Sequence, residues 1–135
     1  MSFKTTTKVR FAHVDGAGIV FYPRYFEMLN SAVEDWFASM GLDFRAMHLD
    51  RGIGIPTVRL ECEFVAPSVL GDDLTIEIML VELGRTSFTI ACRVSGSAND
   101  TVRLTATAVL VCMDLHTKKA IPWADSLKQQ LDAAT

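Results

Sequence analysis

The sequence has few of the residues that cross-link a protein chain or bind a metal ion. It contains only three cysteines among 135 residues, and none of them forms a CxxC pair. Cys62, Cys92 and Cys112 are widely separated, odd in number and flanked by apolar residues, so we interpret them as buried free thiols of a reducing compartment. The three histidines also lack the spacing of metal ligands. We therefore expect neither a disulfide nor a metal site.

The sequence also lacks a block of like charge and a long apolar run. The formal net charge is −3 and no cluster of lysine and arginine is present, which argues against nucleic acid as a partner. No apolar segment has the length that spans a bilayer, and the polar, threonine-rich N-terminus does not have the pattern of a signal peptide. These absences favour a cytoplasmic protein without a membrane span.

Hydrophobic residues make up half of the chain. A chain of this size buries enough surface to fold without a disulfide or metal staple, so we expect one domain over residues 1–135. The hydrophobic share is slightly high for a small monomer, and an oligomer that hides additional apolar surface would explain it.

A long helix is predicted after the first glycine-containing loop. Apolar residues recur there at helical spacing and form one broad stripe, which consists of Tyr22, Tyr25, Phe26, Leu29, Val33, Trp36, Phe37 and Met40. Pro23 suits the first helical turn, and Gly41 suits the position just beyond the last one. The expected helix has about 17–18 residues and a length of about 26 Å.

Strands are predicted on both sides of this helix. Residues 5–13 alternate between apolar and polar side chains, and four longer runs of period two cover residues 58–64, 74–81, 88–94 and 102–112. The short links between these runs imply antiparallel neighbours. Residues 42–49 are expected to form a short helix, and residues 122–131 a terminal helix or an edge extension. The pattern predicts an α+β fold in which a sheet packs on one long helix.

The loop between the first strand and the helix carries a single carboxylate, Asp15, among glycines. A carboxylate just before a helix has backbone N–H groups nearby that lack intrahelical partners. These donors could polarise a substrate carbonyl while the carboxylate acts as a nucleophile or base, which is the minimum equipment for cleaving an acyl bond. A helix cap is the simpler interpretation of Asp15 taken alone.

The loop sequence DGAGIVFYPRY, from Asp15 to Tyr25, resembles that of the 4-hydroxybenzoyl-CoA thioesterase family of hotdog proteins. Further similarity lies at residues 51–53, 64–65, 73–77 and 85–88, so the resemblance covers nearly the whole chain. It implies the hotdog fold, in which a curved antiparallel sheet of about five strands wraps one central helix. It also implies an acyl-CoA thioesterase that forms homodimers and homotetramers and uses no cofactor, since coenzyme A is part of the substrate.

The resemblance also implies roles for individual residues. Asp15 stands where the family has its catalytic carboxylate, and the Tyr22 backbone N–H stands where the thioester carbonyl is polarised. Arg85 occupies a position that contacts the nucleotide end of CoA, and Thr86 follows it where some members have a second basic residue. Asn30 faces the acyl pocket, where the hydroxybenzoyl enzyme has aspartate.

Position along the chain suggests further substrate-binding residues. Thr57 and Val58 are expected at the acyl pocket because they follow the loop that precedes the second strand run. Arg103 is a candidate phosphate contact, since arginine binds phosphate in a bidentate geometry. Glu27 on the predicted helix is a reserve catalytic carboxylate, because another hotdog group uses a helix glutamate.

Two alternatives to thioester hydrolysis remain open from the sequence. Hotdog hydratases and dehydratases use a carboxylate with a histidine, but Val20 occupies the position where one such motif has histidine. A non-catalytic acyl-CoA-binding module is the second alternative, and an intact Asp15 argues against it. For hydrolysis itself, Asp15 could attack the thioester or activate a water molecule.

Overall fold

The computed structural model describes residues 2–133, which form two helices and eight strands. The strands are β1 (Ser2–Lys8), β2 (Ile53–Gly54), β3 (Thr57–Phe64), β4 (Asp73–Leu83), β5 (Ser87–Gly96), β6 (Val102–Val111), β7 (Met113–Asp114) and β8 (Lys119–Ala120). The helices are α1 (Tyr22–Ser39) and α2 (Asp125–Ala133). Five strands form an antiparallel sheet in the order β1-β4-β5-β6-β3, and β2, β7 and β8 form a small second sheet.

Helix α1 packs its apolar face onto the large sheet, as predicted. It has 18 residues, about 27 Å of helix, and Gly41 follows its end with a φ of 83°, a conformation that glycine adopts at little cost. The fully buried Phe88 of β5 lies at the centre of this packing. Its ring centroid is 6.0 Å from Phe37, 5.8 Å from Trp36 and 5.2 Å from Trp123.

The predicted alternation of β4, β5 and β6 is confirmed. The side chains that face α1 are buried, namely Leu74, Ile76, Ile78, Leu80, Phe88, Ile90, Cys92, Val94, Leu104, Ala106, Ala108 and Leu110. The strand pairing shifts register at an extra residue in each of β3, β4 and β6. Such bulges bend a strand and increase its twist, so they help the sheet to wrap around the helix. The predicted hotdog architecture follows from these two features.

The first strand is shorter than predicted. The sequence predicts one strand over residues 5–13 with Phe11 on its buried face, but β1 ends at Lys8 and Phe11 is 82% exposed. The chain leaves the sheet because a 3₁₀ turn follows, in which the Arg10 N–H donates to Nδ1 of His13 at 2.8 Å. The prediction was therefore wrong beyond Lys8.

Strand β3 forms one edge of the large sheet and is hydrogen-bonded only to β6. Its apolar residues remain open in the single chain: Val58 is 59% exposed, Leu60 42% and Phe64 50%. An edge strand with exposed apolar side chains and unpaired backbone groups is a template for pairing with another chain.

The short elements differ from prediction in detail. The predicted helix at residues 42–49 is a π-helical turn over Ala46–Asp50, and the C-terminal segment forms α2 with Leu127 and Leu131 buried. No helix within residues 2–133 is long and apolar enough to cross a membrane. Over the same residues, no group of three or more side chains of His, Cys, Asp or Glu is arranged to hold a metal ion.

The Phe88 packing makes a stability prediction. Replacing Phe88 with alanine removes the ring that three aromatic side chains contact, so we expect the free energy of unfolding to fall by about 3–5 kcal/mol. Denaturant unfolding measures this change. Phe11→Ala is the matched control because Phe11 is exposed, and its effect should stay within about 0.5 kcal/mol. Equal effects of the two variants would contradict this account of the core.

Candidate active site

The loop that carries Asp15 is closed by its own hydrogen bonds. The Asp15 N–H donates to the Ile19 carbonyl at 3.0 Å, and the Gly18 N–H donates to the Asp15 carbonyl at 3.0 Å. Gly18 has a φ of 80°, which a side chain would disfavour. The Ala17 N–H donates to Oδ1 of Asp15 at 2.9 Å. These bonds hold the exposed Asp15 side chain in a defined loop.

Asp15 does not cap α1. Phe21 occupies the N-cap position and no side chain caps the helix there. Tyr22 is the first helical residue, so its N–H has no intrahelical acceptor. The Phe21 N–H donates to the His13 carbonyl at 2.9 Å, which ties the helix start to the chain just before Asp15. The carboxylate and the unpaired N–H thus belong to one short, anchored segment.

A buried serine anchors this segment to the sheet. The Ser68 side chain is fully buried, and its hydroxyl lies 2.8 Å from the Tyr25 hydroxyl and 3.0 Å from Nη1 of Arg103. The Ser68 carbonyl accepts from the Val20 N–H at 2.9 Å. Nη1 of Arg103 also donates to Oδ2 of Asp72 at 2.8 Å. The loop, the first turn of α1 and β6 are therefore joined through one residue.

Two adjoining cavities follow α1 away from its start. The helix pocket, about 270 Å³, is mostly apolar and is lined by Phe26, Leu29, Asn30, Val33, Thr57, Leu60, Ile90, Cys92, Ala108 and Leu110. The distal pocket, about 370 Å³, is lined by Asn30, Val33, Phe44, His48, Gly54, Ile55, Pro56, Thr57, Leu110, Met113 and Leu115. Four lining residues are common to both, so the cavities form one path along the helix.

The helix pocket begins one turn beyond the start of α1, at Phe26. The Phe64 ring lies beside both Tyr22 and this pocket. Its centroid is 6.0 Å from the ring centroid of Tyr22 and 6.3 Å from that of Phe26. A group held at the Tyr22 N–H therefore has an apolar cavity next to it.

The structure brings some of the predicted pocket residues together and separates others. Asn30 and Thr57 line both cavities. Val58 lies on the exposed edge strand and lines neither cavity. Their roles in substrate binding stay predictions.

The three predicted CoA contacts do not form one cluster. Arg85 and Thr86 precede β5, whereas Arg103 lies in β6 opposite the other end of β5. The strand is 10 residues long, which separates these positions by about 30 Å. The Arg103 guanidinium also donates to Ser68, Asp72 and two backbone carbonyls. These bonds tie Nε and Nη1 of Arg103 into the fold, and its side chain is only 11% exposed, whereas Arg85 is exposed.

Two other groups near the site are less suited to catalysis than Asp15. Oε1 of Glu27 accepts from Nη1 of Arg24 at 2.6 Å on the exposed side of the helix. Cys92 lines the helix pocket, but burial and the neighbouring Cys62 raise the pKa of its thiol to about 12. A protonated thiol is a poor nucleophile. Asp15 is the exposed carboxylate beside the start of α1.

Sequence reasoning missed Ser68, Asp72 and His48. Ser68 and Asp72 lie in a stretch of turn residues, where a buried hydrogen-bond network leaves no periodic signal. His48 was considered only as a metal ligand, yet it lines the distal pocket. Its place on a short helical segment beside apolar residues was the available signal.

A family model described as the thioesterase-like superfamily matches residues 9–131. The chain belongs to this superfamily. The predicted family, hotdog fold and thioester hydrolase class are thereby confirmed.

Individual relatives agree with this assignment. The chain is 29% identical over 124 residues to a 1,4-dihydroxy-2-naphthoyl-CoA hydrolase of Synechococcus elongatus, covering 91% of this chain and 90% of that one. It is 37% identical over 83 residues to a 4-hydroxybenzoyl-CoA thioesterase of Pseudomonas sp., covering 60% and 59%. A solved mutant of a 4-hydroxybenzoyl-CoA thioesterase, in complex with 4-hydroxybenzoyl-CoA, superposes with a TM-score of 0.85 at 30% identity, covering 94% and 96%.

The Arg103–Asp72 pair predicts a pH dependence of stability. The hydrogen bond from Arg103, with the Val69 N–H and the Arg103 charge, lowers the pKa of Asp72 below its usual value. A lowered folded-state pKa stabilises the protein above the unfolded value of about 4, and that stabilisation is lost as the pH falls through the folded value. Asp72→Asn should therefore cost about 1–2 kcal/mol at neutral pH.

Denaturant unfolding across pH tests this pair. The stability difference between the parent and Asp72→Asn should narrow as the pH falls below about 4. Asp73→Asn is the control, because Asp73 forms an exposed ion pair with Lys8, which contributes at most about 1 kcal/mol. A difference for Asp72→Asn that stays constant at all pH values would contradict the role of the charge.

Proposed function

We propose that this protein hydrolyses the thioester of an acyl- or aroyl-CoA to a carboxylic acid and free CoA. The anchored segment that presents Asp15 and the Tyr22 N–H beside the helix pocket is the observation that carries this proposal. A thioester carbonyl placed at the helix start would direct its acyl group along α1 into the apolar cavity. The relatives named as CoA thioester hydrolases support the same reaction.

Each half of the site has a distinct task in this reaction. The Tyr22 N–H, aided by the helix dipole, stabilises the negative charge that develops on the carbonyl oxygen. Asp15 either attacks the carbonyl carbon to form a mixed anhydride that water hydrolyses, or removes a proton from the attacking water. In both routes water adds to the acyl group and the thiolate of CoA leaves and takes up a proton. The reaction balances with water alone, so we propose that no metal or redox cofactor takes part.

We propose an aryl or medium aliphatic acyl group as the preferred substrate. The helix pocket is mostly apolar and has aromatic and branched side chains on its walls, among them Phe26, Leu29 and Val33. Asn30 and Thr57 supply the polar side chains of this cavity. The relatives act, by their names, on hydroxybenzoyl and dihydroxynaphthoyl thioesters, which fits an aromatic group here.

We also propose that the protein forms a homodimer through β3, and that two dimers pair as a homotetramer. The exposed apolar side chains and free backbone groups of this edge strand support pairing with a second copy. The position of Arg85 supports it too, because Arg85 of the same chain lies at the far end of the sheet from Asp15. A partner subunit could place its own arginine near the CoA moiety. The three free thiols support a cytoplasmic location.

Replacing Asp15 tests the proposed chemistry. Asp15→Asn keeps the shape of the side chain but removes the charge, so kcat for thiol release from acyl-CoAs should fall about 100- to 10,000-fold. A colorimetric assay of free thiol measures the rate. Asp35→Asn is the matched control, because Asp35 is exposed elsewhere on α1, and it should keep the parent rate.

Two outcomes would count against this assignment. If Asp15→Asn releases thiol as fast as the parent, Asp15 is not catalytic. If the parent releases no thiol across benzoyl, hydroxybenzoyl, phenylacetyl and straight-chain acyl-CoAs, the non-catalytic binding module becomes the better proposal. A single turnover in isotopically labelled water tests the nucleophilic route. Label in the Asp15 side chain requires a mixed anhydride that water cleaves at the Asp15 carbonyl carbon, whereas direct attack of water on the thioester places label in the released acid.

Replacing Phe64 tests the proposed dimer. Phe64→Asp places a charge among the exposed apolar side chains at the end of β3, so the protein should become monomeric at concentrations where the parent is oligomeric. Light scattering after size-exclusion chromatography measures the mass and also distinguishes dimer from tetramer. Phe11→Asp is the control, because Phe11 is exposed away from β3. A parent that is monomeric, or a Phe64→Asp protein that stays oligomeric, would overturn the β3 interface.

A further inference from the structure

His48 has one ring nitrogen engaged and one directed at the distal pocket. Its Nδ1 lies 2.8 Å from the Phe44 carbonyl oxygen. A carbonyl oxygen only accepts hydrogen bonds, so in the neutral imidazole form Nδ1 carries the hydrogen and Nε2 is an acceptor. The ring also packs against Phe44 with centroids 4.9 Å apart. The hydrogen bond and the ring contact together fix the orientation of this acceptor.

The position of Nε2 follows from its distance to Gly54. A Cβ atom placed on Gly54 would lie 3.7 Å from Nε2, and both residues line the distal pocket. The acceptor therefore faces the wall where Gly54 has no side chain. The same added Cβ would lie 2.8 Å from the terminal methyl of Leu115, which also lines this pocket.

The surroundings of Nε2 are mostly apolar. Val33, Phe44, Ile55, Leu110 and Met113 form much of the distal pocket. Apart from His48, Asn30 and Thr57 carry the polar side chains of this lining, and both lie where the distal pocket joins the helix pocket. His48 is half-buried, so a ligand that displaces water from this cavity leaves Nε2 unpaired unless the ligand itself donates a hydrogen bond.

The order of the side chains along α1 suits an acyl group with a polar far end. Asn30 lies two turns beyond Tyr22 on α1, about 12 Å along the axis. An acyl group held by its carbonyl at Tyr22 meets the apolar helix pocket first and the polar side chains of the distal pocket afterwards. A hydrogen-bond donor at the far end of such a group is the one directed towards His48.

We propose that His48 is a specificity-determining residue, whose Nε2 accepts a hydrogen bond from a hydroxyl group on the far side of an aroyl substrate. This inference rests on the proposed thioesterase function. His48 selects among substrates and takes no part in bond cleavage, so it changes which aroyl-CoA is hydrolysed and leaves the chemical step to Asp15 and Tyr22.

The test compares matched pairs of substrates. The probes are benzoyl-CoA with 4-hydroxybenzoyl-CoA, and 2-naphthoyl-CoA with 6-hydroxy-2-naphthoyl-CoA, in which the added hydroxyl lies at the far end from the thioester. We expect the parent protein to prefer the hydroxylated member of at least one pair by about tenfold or more in kcat/KM. His48→Phe keeps a ring but removes the acceptor, so it should abolish this preference by lowering kcat/KM for the hydroxylated substrate alone.

Two further variants separate recognition from folding. His48→Gln provides an amide oxygen near the position of Nε2 and should retain part of the preference. His116→Phe alters an exposed histidine outside both pockets and should keep the full preference. Partial rescue by glutamine is a result that a merely structural role for the imidazole would not give.

The outcomes distinguish this inference from the proposed function. If the parent hydrolyses aroyl-CoAs but shows no preference in either pair, the proposed role of His48 is overturned and the proposed thioesterase function is retained. If His48→Phe and His48→Gln lower kcat/KM equally for both members of a pair, His48 is structural and the inference also fails. If the parent releases thiol from no acyl-CoA at all, the proposed function fails and this inference fails with it.

Discussion

The buried hydroxyl of Ser68 connects three parts of the molecule that are far apart in sequence. It contacts Tyr25 on α1 and Arg103 on β6, while its backbone carbonyl holds Val20 at the end of the Asp15 loop. Arg103 in turn is held by Asp72. A carboxylate and a backbone N–H act together only if their separation is fixed. In this protein Ser68 fixes that separation together with the hydrogen bonds that close the Asp15 loop.

Much of the fold could be predicted because its main elements obey simple periodicities. The stripe from Tyr22 to Met40 marked α1, and the alternation in β4, β5 and β6 marked a sheet with one buried face. The prediction failed at Phe11. The alternation of apolar and polar residues continues there, but the Arg10 N–H donates to the His13 ring and the chain forms a 3₁₀ turn instead of a strand. A side-chain hydrogen bond to the backbone competes locally with strand pairing, and a hydrophobicity pattern does not register it.

The candidate site was predictable only where it lies within a continuous segment. Asp15 and Tyr22 are close in sequence, so the loop alone placed them at one helix start. Residues brought together by the sheet were harder to place. In the sequence, Arg85 and Arg103 are both basic residues on strands or turns. In the structure, antiparallel pairing places them at opposite ends of β5. Only the register of the strands distinguishes an arginine that stabilises the fold from one that faces solvent.

Helix α1 runs from the reacting end of the site past both cavities. Tyr22, Phe26, Asn30 and Val33 lie at successive turns, so each meets a different depth of any acyl group that enters. Under the proposed function, the helix orders the side chains that contact the acyl group by their distance from the thioester carbonyl. A substitution further along the helix would change which length or pattern of acyl group fits, without disturbing the Asp15 carboxylate or the Tyr22 N–H. Such a layout lets acyl preference change among related chains while the reaction itself stays the same.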